Sequence, residues 1–201
     1  MKKLGAFICV EGLDASGKTT QSKLLVKNLK KKGFHAVYTT EPSRGHIGRL
    51  IRRHVLLGES RLSVILEALL FAADRIDHLE GEVLPALKEK KIVVSDRYLY
   101  SSLAYQGAAG LDLEWIEEIN KWAMKPDLTL YIDVPPEVVL QRLKRKKSVM
   151  ENLQNQQRVR DIYLKLVKAH NLRVIDGNKP KGNVAKEILE AVITFLSARG
   201  V

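Results

Sequence analysis

The sequence GLDASGKT at residues 12–19 fits the G-x-x-x-x-G-K-[ST] pattern of a phosphate-binding loop. An apolar run, AFICV, precedes it at residues 6–10, and an amphipathic segment follows at residues 18–32. Glycines in such a loop let backbone amides turn toward phosphate oxygens, and the helix N-terminus adds partial positive charge. Lys18 would neutralise the β and γ phosphates, and the Thr19 hydroxyl can bind magnesium. Strand, loop and helix together predict a nucleotide-binding site.

Strand-like and helix-like segments alternate along the rest of the chain. Further apolar runs without alternation, typical of buried parallel strands, lie at residues 92–96, 128–133 and 172–176, with a weaker one at 35–40. Apolar residues recur at helical spacing over residues 18–32, 63–80, 112–124 and 183–198. This order predicts an α/β fold with a parallel sheet, helices on both of its faces, and ligands at the carboxyl ends of the strands. We expect one domain, residues 1–201, without a linker or internal repeat.

Composition limits the possible partners. The chain has 201 residues, 45% of them hydrophobic, and its 34 Lys and Arg against 23 Asp and Glu give a net charge of +11. Such a charge suits an anionic partner, namely nucleic acid, an acidic membrane or a phosphorylated small molecule. The single cysteine, Cys9, lies in an apolar run and is expected in the core. No run of about 18 apolar residues is present, so we expect a soluble, cytoplasmic protein.

A second group of polar residues follows the strand at 92–96, in SDRYLYSSLAYQGA at residues 95–108. Asp96 is placed either to bind magnesium through water or to position another phosphate-binding group, and Arg97 can hold a second phosphate. Upstream, Phe71 and Arg75 are four residues apart on one predicted helix face. The pair could stack on a planar base and bond its edge, or it could be a core phenylalanine beside a surface arginine.

Two further segments bear on the reaction. RLKRKK, at residues 142–147, is cationic at five of its six positions, which is typical of a solvated helix end or of a phosphate-binding segment. A switch GTPase would carry an Asn-Lys-x-Asp guanine motif. The nearest match, NKWA at residues 120–123, lacks the acid, which argues against a GTPase.

Together these segments resemble the thymidylate kinase family. The resemblance rests on VEGLDASGKTTQ (10–21), EP (41–42), LLFAADR (69–75), DRYLYSSLAYQGA (96–108), KPDLTLYIDVPPE (125–137) and VID (174–176). It implies a three-layer P-loop kinase fold with a five-stranded parallel sheet and a short basic lid at about residues 142–152. It also implies Mg²⁺, ATP and dTMP as ligands, transfer of the γ-phosphoryl group to dTMP, and a homodimer. Neither nucleic acid nor membrane is an expected partner.

The resemblance assigns roles to individual residues. Phe71 would stack on thymine, Arg75 would bond its O4 edge, and Arg97 would bind the dTMP phosphate. Asp14 would accept a hydrogen bond from the sugar 3′-hydroxyl. Further substrate contacts are expected at Ser101, Tyr105 and Gln106, with Ser102 beside them. ATP would contact the loop and the lid edge at Gly12, Leu13, Asp14, Ala15, Ser16, Gly17, Lys18, Thr19, Thr20 and Arg142. The expected metal ligands are Thr19 and Asp96, and the expected catalytic residues are Lys18, Arg97 and Arg145.

The chain departs from the family pattern at two places. Many relatives have an arginine before the Glu-Pro pair, whereas this chain has Thr40, and Arg44 is a candidate replacement. The family supplies a catalytic arginine either from the loop, directly after its acid, or from the lid. Because Ala15 occupies the loop position, the lid must supply the cation, and Arg145 is the preferred residue.

Other residues have weaker claims. Arg158 and Arg160 rank below Arg145 because they belong to a longer predicted helix. Asn178 and Lys179 follow the last strand and are expected to border adenine. Two rival functions stay open: a kinase for another nucleoside monophosphate or a deoxynucleoside, and a P-loop ATPase stimulated by nucleic acid.

Overall fold

A computed structural model describes residues 5–56, 62–142 and 153–200 of the chain. Its centre is a five-stranded parallel sheet with the strand order β2-β3-β1-β4-β5. The strands are β1 (Ala6–Gly12), β2 (Ala36–Thr40), β3 (Ile92–Asp96), β4 (Leu128–Asp133) and β5 (Arg173–Asp176). Each apolar run singled out in the sequence forms one of these strands, so the predicted α/β class with a parallel sheet is confirmed.

Nine helices surround the sheet within the described ranges. They are α1 (Lys18–Lys31), α2 (His46–Ile51), α3 (Val64–His78), α4 (Leu84–Lys88), α5 (Leu99–Ala108), α6 (Leu113–Ile119), α7 (Pro136–Arg142), α8 (Leu153–His170) and α9 (Lys181–Arg199). A π-helical turn continues α2 over Arg52–Leu56, and another, Leu79–Val83, joins α3 to α4. The helix predicted at residues 112–124 is shorter than expected, because the chain turns at Asn120. None of the helices described is long and apolar enough to cross a membrane.

Both faces of the sheet are covered. All seven residues of β1 are buried, and alternate side chains enter two different clusters. Ile8 and Val10 pack in the larger cluster with residues of α1, α5, α8 and α9, whereas Phe7 and Cys9 pack in a smaller one with residues of α3 to α4. Cys9 is thus part of the core, as its apolar neighbours predict.

The strand register places the polar residues of the sequence motifs at one edge. On β1, Val10 pairs with Asp96 of β3 on one side and with Leu130 of β4 on the other. Because parallel strands all end in the same direction, the loops after β1, β3 and β4 lie next to one another. The N-terminus of α1 begins at this same edge, immediately after the phosphate loop.

Candidate active site

The phosphate loop is held in its curved shape by residues with left-handed backbone angles. Gly12 has φ 147°, Ala15 has φ 58° and Gly17 has φ 100°. A Cβ atom at Gly12 would lie 2.6 Å from the carbonyl oxygen of Ile132, so the neighbouring strand leaves no room for a side chain. Gly17 is the N-cap of α1, and its left-handed angle turns the loop into the helix at little steric cost.

Lys18 is almost completely enclosed. Its side chain curls back under the loop, where Nζ donates a hydrogen bond to the carbonyl oxygen of Leu13 at 2.5 Å, and the residue is 5% exposed. Burial, assisted by the nearby positive charge of Arg97, lowers the pKa of Lys18 to about 8. A polyphosphate bound in the loop would place negative charge next to the Lys18 ammonium group and so stabilise its charged form.

Thr19 and Asp96 meet where α1 begins and β3 ends. The Thr19 hydroxyl donates to Asp96 Oδ2 at 2.5 Å, and the Tyr38 hydroxyl donates to the same oxygen at 3.3 Å. The other carboxylate oxygen, Oδ1, is buried and has no hydrogen-bond partner among the described residues.

These donors suit Mg²⁺. The cation prefers oxygen ligands and is usually held by one or two protein groups together with substrate phosphates and water. No group of three or more His, Cys, Asp and Glu side chains suited to a metal occurs in the described ranges. The Asp96 carboxylate, with one oxygen that no described residue bonds and with the Thr19 hydroxyl and the phosphate loop beside it, fits magnesium bound jointly with a nucleotide.

Arg97 lies between the loop and α5, with a left-handed φ of 74° that turns it back toward β1. Its guanidinium forms an ion pair with Asp14 and donates to Ser101 Oγ at 3.1 Å. It lies over the ring of Tyr105, with 5.1 Å from Cζ to the ring centre. The Tyr105 hydroxyl in turn accepts a hydrogen bond from the backbone N–H of Asp14 at 2.9 Å. Four of the predicted substrate residues thus form one connected group.

The phosphate loop and the Arg97–Asp14 pair line one cavity of about 380 Å³. Its walls are Asp14, Ala15, Gly17, Lys18, Thr19, Thr20, Arg97 and Arg142. Arg142 reaches it from the end of α7, and its Nη2 donates to the carbonyl oxygen of Gly177 at 3.2 Å. The loop after β5 is therefore adjacent to the cavity through Gly177, while Lys179 beyond it pairs with Glu187.

Glu11, which the sequence analysis did not select, is a fully buried carboxylate on β1, directly before Gly12 of the phosphate loop. It accepts hydrogen bonds from the Ser101 hydroxyl at 2.6 Å and from the Tyr163 hydroxyl at 3.0 Å. The backbone N–H of Tyr98 also donates to it, at 2.9 Å. Burial raises the pKa of Glu11. An acid within an otherwise apolar strand was the signal available in the sequence.

The predicted base-binding residues lie on α3 and α5. Phe71 is half-buried, whereas Arg75 is buried and pairs with Glu41 through Nε at 3.1 Å and Nη2 at 2.8 Å. The neighbouring Gln106 is buried, and its Oε1 has no partner among the residues described. Arg75 is therefore not the surface arginine of the alternative interpretation, because Glu41 compensates its charge inside the protein.

Three other residues of the predicted site, two in the loop and one on α5, are buried. Leu13 is fully buried, which anchors the loop to the core, and Ser16 is buried with a hydroxyl that has no partner within the described ranges. Ser102, beside Ser101, is buried and accepts a hydrogen bond from Arg75 Nη2 at 3.0 Å.

Thr40 stands where many relatives have an arginine before the Glu-Pro pair. Its hydroxyl donates a hydrogen bond to the backbone carbonyl of Asp96 at 2.9 Å. Arg44 is exposed, and its charge acts on Tyr38. Burial and the neighbouring Asp96 raise the pKa of Tyr38 to about 12, against the lowering effect of Arg44. Arg44 is therefore near Tyr38, whose hydroxyl donates to Asp96.

The three arginines considered as catalytic residues differ in what the structure shows of them. Arg145 and most of the predicted lid, residues 143–152, lie outside the described residues. Arg158 is exposed on α8. Arg160, two residues on, makes a two-fold hydrogen bond with Asp133 at the end of β4, at 2.8 Å for each oxygen. Its engagement there agrees with the structural role expected for this helix.

The fold and the site define a P-loop nucleotide-binding protein with a second, arginine-lined position across from the phosphate loop. Residues 10–188 match the family model described as thymidylate kinase. The chain belongs to the thymidylate kinase family, whose members are ATP-dependent kinases.

Several archaeal relatives support this membership. The probable thymidylate kinase of Pyrococcus horikoshii is 42% identical over 196 residues, which cover 94% of this chain and 96% of the relative. That of Pyrococcus abyssi is 43% identical with the same coverage. That of Methanocaldococcus jannaschii is 42% identical over 190 residues, 94% of this chain and 95% of the relative.

Proposed function

We propose that this protein transfers the γ-phosphoryl group of ATP to dTMP, giving ADP and dTDP for the biosynthesis of dTTP. The observation that carries the proposal is the shared cavity, in which Lys18 and Thr19 face the pair formed by Arg97 and Asp14. One side offers a phosphate loop to a nucleoside triphosphate, and the other offers an arginine to a second phosphate. Family membership identifies the second nucleotide as dTMP.

On the donor side, the loop amides and Lys18 would bind the β and γ phosphates of ATP. Mg²⁺ would be held by the Thr19 hydroxyl and Asp96, and it would neutralise charge on the transferring phosphate. The short hydrogen bond between these two side chains supports their joint use. Arg142 lies at the edge of the cavity beside Gly177, which supports a position against adenine.

On the acceptor side, the phosphate of dTMP would compete with Asp14 for the guanidinium of Arg97. A phosphate carries more negative charge than a carboxylate, and two of its oxygens can accept two N–H groups of the guanidinium at once. Arg97 would therefore turn from Asp14 to the phosphate. Asp14 would then be released to accept a hydrogen bond from the sugar 3′-hydroxyl. Phe71 would stack on thymine, and Tyr105 would close against the sugar.

In the transfer step, an oxygen of the dTMP phosphate attacks the γ-phosphorus while the bond from that phosphorus to the β,γ-bridging oxygen breaks. Positive charge around the transferring group lowers the barrier. Lys18 and Arg97 supply part of it, and Ala15 supplies none. We therefore assign the remaining cation to Arg145 in a lid at about residues 142–152, within one domain formed by the whole chain.

We also propose a homodimer formed through the outer face of α2 and α3. Four large apolar side chains are exposed there, between 44% and 54%: Leu50, Ile65, Leu66 and Leu69. An apolar face of this kind typically marks a protein interface. The cytoplasmic location stays a prediction from the sequence.

The test is a measurement of ADP formation with Mg²⁺, ATP and one acceptor at a time: dTMP, dUMP, dCMP, AMP, thymidine or DNA. We expect dTMP to give the highest kcat/KM. Equal or better turnover of another monophosphate, or of thymidine, would support the rival kinase. ATP hydrolysis that rises with DNA and falls steeply with salt would support the nucleic-acid-stimulated ATPase.

A further inference from the structure

Asn120 is a buried polar residue that the proposed chemistry does not use. It ends α6 and is 5% exposed. Its backbone N–H donates to the carbonyl oxygen of Glu117 at 3.0 Å, and its own carbonyl accepts from the N–H of Ala123 at 2.8 Å. The backbone of Asn120 is thus tied on both sides of the turn.

The side-chain amide is equally constrained. Nδ2 donates to the carbonyl oxygen of Ile116 at 2.8 Å, and Oδ1 accepts from Nη1 of Arg75. A carbonyl oxygen can only accept and a guanidinium can only donate, so the partners determine which end of the amide points to Arg75. Asn120 therefore presents a fixed, neutral acceptor to the arginine that we expect at the thymine edge.

Counting donors shows what this acceptor controls. Arg75 has five N–H groups, and four are engaged within the described structure: Nε and one N–H of Nη2 with Glu41, the second of Nη2 with Ser102, and one of Nη1 with Asn120. The fifth N–H lies on Nη1, the same nitrogen that Asn120 holds. It is the donor left for a ligand.

Asn120 accepts the hydrogen bond from Nη1, while the Tyr98 ring lies against the guanidinium, with 5.2 Å from Cζ to the ring centre. Both bonds to Glu41 end on a single oxygen, Oε2, and Ser102 binds the nitrogen next to that edge. A group held mainly along one edge can pivot about it. The bond from Nη1 to Asn120 on the opposite side opposes this movement and so fixes the direction of the fifth N–H.

We propose that Asn120 is a positioning residue that sets base selectivity by orienting Arg75, an inference that rests on the proposed use of dTMP. A fixed N–H donor matches the 4-carbonyl oxygen of thymine. The 4-amino group of cytosine would bring a second donor to the same place and leave both groups unpaired. Selectivity between dTMP and dCMP then depends on how firmly the N–H is held.

The test compares Asn120→Ala with wild type, with Lys121→Ala as the control. Lys121 is the next residue, is exposed and pairs with Glu118, away from Arg75. We expect Asn120→Ala to raise the KM for dTMP about tenfold and to lower the ratio of kcat/KM for dTMP over dCMP about tenfold. The KM for ATP and kcat should change less than about threefold, because the donor site is untouched. Lys121→Ala should match wild type.

Two further variants separate positioning from a purely structural cap. Asn120→Asp keeps an oxygen for Nη1 and loses the donor to Ile116, so it should recover much of the selectivity. The side chain in Asn120→Ser is one bond shorter than that of asparagine and does not reach Arg75, so this variant should behave like Asn120→Ala. It serves as the test if the alanine variant does not fold. A lower melting temperature with an unchanged dTMP to dCMP ratio would overturn the inference. Failure of wild type to use dTMP would instead overturn the proposed function.

Discussion

Replacing Lys18 by methionine should make the nucleotide-free protein more stable while removing nucleotide binding. Lys18 is 5% exposed, and burial lowers its pKa from 10.5 to about 8. The folded protein therefore holds an ammonium group in a place that disfavours its charge. Methionine keeps a similar stem without the charge, so it removes this cost.

The size of the effect follows from the pKa of Lys18. A change from 10.5 to about 8 corresponds to roughly 3 kcal/mol, at about 1.4 kcal/mol per pKa unit. Loss of the hydrogen bond to Leu13 offsets about 1 kcal/mol. Lys18→Met should thus raise the free energy of unfolding by roughly 2 kcal/mol at pH 7.

The pH dependence has a definite sign. Between pH 8 and 10.5 the unfolded chain keeps the Lys18 proton that the folded chain has released. Wild-type stability due to this group therefore rises with pH across that window. The advantage of Lys18→Met should be greatest below pH 8 and should shrink steadily above it.

Urea denaturation at pH 7 and pH 9.5, with and without Mg²⁺ and ATP, measures these effects. ATP at 100 times its Kd should stabilise wild type by about 3 kcal/mol and should leave Lys18→Met unchanged. Lys27→Met, at an exposed position of the same helix, is the control and should alter stability by less than about 0.5 kcal/mol. A nucleotide-free Lys18→Met protein less stable than wild type at pH 7 would refute this reasoning.

Two other variants test the lid and the end of β4. Arg145→Ala should lower kcat by about 100-fold or more while leaving the Kd for dTMP within about threefold, because the missing charge acts on the transferring phosphate. Single-turnover kinetics and dTMP titration check this, and unchanged turnover would exclude Arg145 as the catalytic cation. Asp133→Asn should cost about 1–3 kcal/mol at pH 7, because Arg160 loses a charged two-fold partner. Burial acts to raise the pKa of Asp133, but the Arg160 bonds outweigh it and lower the pKa. The stability from this pair is present at neutral pH and is lost as pH falls through the lowered pKa, so denaturation curves of Asp133→Asn and wild type should converge in acid. A difference that persisted in acid would contradict this assignment.

Patterns confined to a few neighbouring residues predicted the sheet well. Each strand is a short apolar run, and a fully buried strand such as β1 needs apolar side chains on both faces. The loop after β1 was predicted equally well from its sequence. The backbone at Gly12 has a left-handed φ and passes close to β4, and both features require glycine. Alternation of strand and helix then required the carboxyl ends of the strands to share one edge.

Long-range partners could not be predicted in the same way. Arg75 and Asn120 are 45 residues apart, and Glu11 and Tyr163 are 152 apart. Nothing near Asn120 in the sequence marks it as a partner of an arginine, since asparagine at a helix end is ordinary turn chemistry.

The fold class and the phosphate loop were predictable from the sequence alone, because each depends on local backbone geometry or on a fixed spacing. The residues proposed to contact the nucleotides came from the resemblance to the family. The charge state and the pairing of those residues follow from the tertiary structure. It buries Lys18 so that its pKa falls, pairs Arg97 with Asp14, and encloses Arg75 with Glu41. Burial and charge pairing depend on which distant segments pack together. The loop therefore carries the recognisable pattern, while the packing around it sets the charge that meets the substrate.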